Sequence, residues 1–211
     1  MGNYKVVKQA INFELSNFLF NYFLLKREAV AYMYENNITY DNGMLGTFKD
    51  VQVPNTYSIY GDPTFDTLLM KLLPTMKRET GLDVVPTYSY ARIYKKGDIL
   101  KRHKDRPSCE ISTTLNLGGD DWAIYLDPTG ADTVIDEYKN IHKPNSPKGV
   151  KVDLKQVDML IYSGCELEHW RDEFKGNVCG QVFLHYNHAD GQFKETNKYD
   201  GRPMLGIPKN A

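Results

Sequence analysis

The chain has 211 residues, 41% of them hydrophobic and 25% charged, which is the composition of an ordinary soluble globular protein with a sizeable core. Lys+Arg number 26 and Asp+Glu 27, so the net charge of -1 gives no overall field that would draw the chain to nucleic acid or a membrane surface. Aromatic content of 12%, with 15 tyrosines, suits a β-rich fold with cross-strand aromatic pairs.

The run from about Val6 to Glu35 reads as an amphipathic helix, with Val7, Ile11, Leu15, Phe18, Tyr22, Leu25, Ala29 and Tyr32 as its stripe. Asn36 and Asn37 end it. A polar connector over Thr39–Pro54 leads to a second helix, capped by Asp62 with Pro63 in its first turn. Phe65, Leu68, Leu69, Leu72 and Met76 form its buried face; Pro74 should kink it and Gly81 should stop it.

From Val84 the texture changes to short strands: Thr87–Tyr94, Ile99–Lys104, Cys109–Leu117, Trp122–Leu126, Met159–Tyr162 and Gln181–Tyr186. Turn residues separate them, such as Lys96-Gly97-Asp98 and Gly118-Gly119-Asp120. Residues 129–150, with Pro144 and Pro147, read as a polar insertion. The polar tail from about 191 to 211 is expected to be mobile or to fold over a partner. This is one α+β domain: helices over 1–83, a sandwich or barrel core over 84–190, then the tail. Three cysteines with no CxxC spacing argue against a disulfide framework or a structural zinc site, and suit reduced thiols in a cytoplasm. The first residues carry no signal peptide, and polar residues interrupt the apolar run of 11–25, so a soluble, cytoplasmic protein without a membrane span is expected.

The chemistry concentrates in Tyr94-Lys-Lys-Gly97-Asp-Ile-Leu-Lys-Arg-His103-Lys-Asp105. His and Asp two apart on extended chain point to one side. His169, a short loop after the glycine-ended strand Asp158–Gly164, is the candidate for a third ligand. Two histidines and one carboxylate on one face leave the opposite coordination positions open, as a non-haem Fe(II) oxygenase needs. Zinc accepts the same set, so a zinc hydrolase stays open, as does a non-catalytic binding module. The absent HExxH argues against the common helical zinc form.

Residues from about Tyr88 to Asn187 resemble the double-stranded β-helix (jelly-roll) core of the prolyl-4-hydroxylase-type Fe(II)/2-oxoglutarate-dependent dioxygenases. The matching stretches are Tyr94…Gly97…His103-Lys-Asp105, Ser112–Leu117, Asp158–Gly164…His169 and Gln181–Tyr186. They cover about half the chain, and in that family N-terminal helices buttress one sheet. The resemblance implies that His103, Asp105 and His169 bind iron and that Tyr94 bonds 2-oxoglutarate. It also implies hydroxylation of a C–H bond at the expense of O₂ and 2-oxoglutarate, with succinate and CO₂ as products and ascorbate as a supporting reductant. A prolyl residue of a peptide or protein is the substrate it favours; a free amino acid or another small molecule is the alternative. Family members usually place Lys or Arg nine or ten residues after the distal His, where this chain has Val178 and Cys179. Arg171 is therefore expected to anchor the distal carboxylate of 2-oxoglutarate, with room left by Cys179.

Arg92, two residues before Tyr94, is its rival and otherwise a substrate contact. Thr114 is expected near the cosubstrate, on a polar stripe with Glu110 and Ser112. Arg106 is expected to touch substrate at the site mouth, within a basic rim of Lys95, Lys96, Lys101, Arg102, Lys104 and Arg106 that hints at an acidic or extended substrate. Trp122, Tyr125 and Trp170 are candidates for a substrate groove, and His185 is expected to face inward without being a ligand.

Overall fold

The computed structural model describes residues 4–129, 133–136, 141–143 and 149–208; the insertion expected over 129–150, including Pro144 and Pro147, lies largely outside them. The chain opens with a strand, β1 (Tyr4–Val7), where sequence reading expects the helix to have begun. The helix α1 starts at Phe13, because Asn12 caps it by accepting from the Leu15 amide at 2.8 Å. β1 instead finds a partner far along the chain, β10 (Met159–Tyr162), in antiparallel register from Tyr4↔Tyr162 to Val7↔Met159. That pairing is non-local, so no helical period could reveal it.

Helix α1 (Phe13–Glu35) also buries a different stripe from the expected one. Ser16, Leu19, Phe23 and Val30 are inside, whereas Phe18, Leu25 and Tyr32 are 65%, 71% and 63% exposed. The helix is apolar on more than one side, so two stripes fit its period and only packing chooses between them. The short helix α2 (Asn42–Leu45) and strand β2 (Tyr57–Tyr60) lie in and after the polar connector. Helix α3 (Pro63–Thr80) has the expected ends: Asp62 caps it, Pro63 opens it, and Gly81 closes it in the left-handed region at φ 70°, while the chain stays helical on both sides of Pro74.

The remaining strands are β3 (Val84–Lys95), β4 (Leu100–His103), β5 (Ile111–Gly119), β6 (Ile124–Leu126), β7 (Thr133–Asp136), β8 (Ile141–Lys143), β9 (Val150–Val152), β11 (His169–Arg171) and β12 (Val178–His188). Six strands form one antiparallel sheet in the order β1-β10-β5-β12-β3-β2, four form a second in the order β4-β11-β6-β9, and β7 pairs with β8. The architecture is α+β, with the two larger sheets forming the double-stranded β-helix.

Strand parity sorts the six-stranded sheet into two faces. Ala91, Ile93, Leu115, Leu117, Met159, Ile161, Val182 and Leu184 join one apolar cluster with Leu19 and Phe23 of α1 and Phe65, Leu69 and Met76 of α3. Phe23 and Phe65 are fully buried and meet edge to face at 5.1 Å. Burial of each such side chain contributes roughly 1.5–3 kcal/mol. The other face is polar and aromatic, and it looks toward the four-stranded sheet. Among the described residues, no helix is long and apolar enough to cross a membrane. Cys109, Cys165 and Cys179 are all free thiols.

Through residue 208 the tail docks on its own chain. Arg202 is buried and donates to Asp66 at 2.9 Å and to the Thr87 carbonyl at 3.3 Å. Asp200 accepts from Tyr60 at 2.6 Å and from Ser108 at 2.7 Å. Asp200 also takes both terminal nitrogens of Arg106, one of them at 2.7 Å.

Candidate functional site

His103 ends β4 and lies opposite His169 of β11 in antiparallel register. Asp105 lies two residues past the strand, and its amide donates to the Gly164 carbonyl at 2.9 Å, which brings its carboxylate to both rings. Asp105 Oδ1 is 3.5 Å from Nε2 of His103 and 3.5 Å from Nε2 of His169, and the two rings are 4.2 Å apart. Gly164 has to be glycine here, because a Cβ would come within 2.7 Å of Asp105 Oδ2 and closer still to the Cys109 carbonyl and Ser112 Oγ.

Backbone carbonyls set the tautomers. Nδ1 of His103 bonds the Lys101 carbonyl at 2.8 Å, and Nδ1 of His169 bonds the Leu167 carbonyl at 3.0 Å. A carbonyl only accepts, so each Nδ1 carries the proton and each Nε2, in the neutral ring, keeps its lone pair on the side of the shared site. Burial and the neighbouring His169 lower the His103 pKa, only partly countered by Asp105. Burial also opposes charge on His169, yet Asp105 prevails and raises its pKa. Burial works against the Asp105 carboxylate as well, but the two histidines hold it well below the usual range. Three convergent donors of this kind fit a divalent metal with open positions.

A cavity of about 330 Å³ opens on the three side chains, walled by Tyr88, Tyr90, Tyr94, Phe183 and His185. Tyr88, Tyr90, Arg92 and Tyr94 alternate along β3, and all face it. Tyr94 is fully buried, lies edge to face on Trp122 at 4.8 Å, and its hydroxyl accepts from Arg92 at 3.2 Å. Arg171, on the same strand as His169, is fully buried. One of its terminal nitrogens donates to Thr114 Oγ1 at 3.2 Å and the other to the Trp122 carbonyl, while Nε has no partner. Burial lowers its pKa, and the groups that counter this are Tyr94, Cys179 and Tyr162. Among the described residues no carboxylate pairs with it.

Other expectations change. Arg106 borders the cavity, but Asp200 holds its guanidinium, which also lies 4.5 Å over the Tyr88 ring. The basic rim is partly neutralised: Lys95 pairs with Asp98 at 2.6 Å, and Arg102 with Asp127 at 2.7 Å and Glu168 at 2.6 Å. Glu110 is turned from the pocket to accept from Asn187 and the His188 amide at 3.1 and 2.9 Å. Trp122 is buried, with its indole N–H on the Asp172 carbonyl at 2.9 Å. Tyr125 and Trp170 stack on each other at 5.6 Å, and Arg102 covers Trp170 at 4.2 Å. None of these three lines the cavity, whose wall instead includes Tyr88, Tyr90 and Phe183. Strand parity from Tyr94 would have found the first two. His185 does face inward, with Nδ1 2.9 Å from Ser112 Oγ. Asp50 and Gln52, from the loop before β2, also line the pocket, and no periodic signal marks them.

No family model matches the sequence, and no curated protein matches it. Structural similarity is extensive. A prolyl-4-hydroxylase from Pseudomonas putida matches at TM-score 0.54 and 13% identity over 89% of this chain and 94% of its own. HygX from Streptomyces hygroscopicus, solved with nickel and 2-oxoglutarate bound, matches at TM-score 0.57 and 13% identity over 90% and 84%. SnoK, a non-haem α-ketoglutarate-dependent carbocyclase of nogalamycin biosynthesis, matches at TM-score 0.58 and 13% identity over 98% and 88%. The six- and four-stranded sheets, with helices on the outer face of the larger, thus give this chain the jelly-roll fold of the 2-oxoglutarate/Fe(II) oxygenases.

Proposed function

We propose that the chain is an Fe(II)- and 2-oxoglutarate-dependent dioxygenase that hydroxylates a C–H bond, with a prolyl residue of a peptide or protein as its substrate. The observation that carries this reading is a three-donor metal face with a buried cation, Arg171, two residues past His169 on the same strand. His103, Asp105 and His169 would hold the metal. Arg171, without a carboxylate among the described residues, would take the distal carboxylate of 2-oxoglutarate, with Thr114 orienting the guanidinium and Tyr94 adding a hydroxyl donor.

When bound, the metal supplies oxidative decarboxylation of 2-oxoglutarate coupled to hydroxylation, with O₂ as oxidant. The residues of this chain orient and exclude water. Carbonyl-fixed histidine tautomers keep both Nε2 atoms available as donors. Tyr162 lies edge to face against His169 at 4.8 Å and closes one side of the site. Tyr90 and Phe183 would offer aromatic faces on which a pyrrolidine ring packs, whereas the Tyr88 ring is already covered by Arg106, Tyr60 and His185. Arg92 and Arg106 stand at the wall and the edge of the same cavity, each held by a carboxylate of the chain, Asp50 and Asp200. Ascorbate would support turnover by keeping the metal reduced.

Formation of succinate from 2-oxoglutarate under Fe(II), with prolyl peptides and with small ring compounds as substrates, tests this reading. Turnover should require Fe(II) and vanish in His103→Ala. Tight zinc retention with no succinate from any substrate would reject it.

A further inference from the structure

The loop of residues 50–53 reaches the metal face itself. Asp50 Oδ1 accepts from the Gln52 amide at 2.7 Å and the Val53 amide at 3.4 Å, which folds the loop into a tight turn. Val53 is 2% exposed and packs with Tyr94, Leu100 and Phe183, whereas Val51 at the tip is 93% exposed. The buried Val53 directs Gln52 over the cavity.

Arg92 fixes which way the Gln52 carboxamide points. Both terminal nitrogens of Arg92 donate to Gln52 Oε1, each at 3.1 Å, and one also reaches Asp50 Oδ2 at 2.8 Å. A guanidinium only donates, so the oxygen of the carboxamide must face it and the NH₂ must face away. That NH₂ lies 3.0 Å from Nε2 of His103. The Nδ1 of His103 is already the protonated nitrogen, so Nε2 accepts this bond with the lone pair a metal would use. A metal–imidazole bond of about 2.1 Å needs that lone pair undivided.

We propose that Gln52 competes with the metal for His103 and, once displaced, stands as a positioning residue at the rim of the open coordination face, still tethered by Arg92. The proposal rests on the metal-site reading above. Gln52 is thus the contact that couples metal loading to the loop covering the cavity, and its released N–H is offered to the polar group of whatever enters.

Cobalt(II) binding, followed by calorimetry and by visible absorption, tests this without turnover. Loss of a single hydrogen-bonding competitor should make Gln52→Ala bind cobalt(II) about three- to tenfold tighter than the wild type. Gln52→Asn, one methylene too short to span Arg92 and His103, should do the same and serves if the alanine variant folds poorly. Hydrogen exchange of the Gln52 and Val53 amides should quicken when cobalt(II) is added to the wild type and be unchanged by metal in Gln52→Ala. Equal or weaker cobalt(II) binding by both variants, alongside normal binding by the wild type, overturns the proposal and leaves the metal site standing. A wild type that binds no cobalt(II) overturns both.

Discussion

Arg92 and Arg171 are both buried, on strands of opposite sheets, and both lie close to Tyr94, yet their surroundings differ in kind. Arg92 is answered from within the chain by Asp50, Gln52 and two tyrosine hydroxyls. Arg171 has a threonine hydroxyl, a carbonyl and the face of Trp122 at 5.1 Å. A paired buried cation belongs to the scaffold, and removing one member leaves the other stranded. A buried cation with no carboxylate among the described residues is costly in the free protein and is relieved by an anionic ligand.

Substitution at each arginine can break this contrast. Arg171→Met should raise the 2-oxoglutarate KM on the order of 100-fold, the loss of about 3 kcal/mol of charge-assisted bonding, and leave the urea midpoint unchanged or higher. A normal KM with a much weakened fold would reverse the assignment. Arg92→Leu should do the opposite. It strands Asp50 and Gln52, so unfolding in urea should show a loss of about 3 kcal/mol, with the 2-oxoglutarate KM moving less than about tenfold.

Acid sharpens the contrast, because the same wall carries a histidine kept neutral. Burial, with Arg106 and His169 nearby, pushes His185 down to about 4. Its folded pKa lies below the unfolded value, so its neutral form is matched above about 6.5 and the fold loses stability as pH falls from there toward 4. Between about pH 6.5 and 5 the wild type should lose about 2 kcal/mol more than His185→Phe, read as urea midpoints at each pH. The smallest effect is expected at the tail. Asp200→Asn weakens a partly exposed pair with Arg106 and should cost about 1 kcal/mol, with no change in 2-oxoglutarate KM.

The sequence shows the site's skeleton because short-range rules generate it. Alternation along Tyr88–Tyr94 puts four side chains on one face, and the His103–Asp105 spacing survives because Asp105, though outside the strand, is tied to Gly164. Arg171 lies on β11 two residues past His169, with a register shift between them, and its part in holding 2-oxoglutarate belongs to the proposal above. What sequence periodicity cannot show depends on long-range partners. β1 is a strand because β10 lies open beside it, α1 turns Phe23 rather than Phe18 inward because Phe65 and Tyr57 await it, and Gln52 matters because Arg92 orients it. Trp122 left the expected groove for a related reason: it packs on Tyr94 and Phe174, and its indole N–H finds a buried partner in the Asp172 carbonyl.

The docking of Arg106 onto Asp200 has a consequence for synthesis. Asp105, the carboxylate of the candidate metal site, is next in sequence to Arg106, whose clamp lies 94 residues further on, and Arg202 reaches back 136 residues to Asp66. Contacts of such separation form late, after the entropy of closing long loops has been overcome. A ribosome-bound chain halted before residue 200 can pair most of its strands, yet it leaves the segment beside the metal face unclamped and Asp66 without its cation. Nascent chains released before residue 200 would therefore carry a looser segment beside the candidate metal site, and they would be the ones that chaperones and proteases meet.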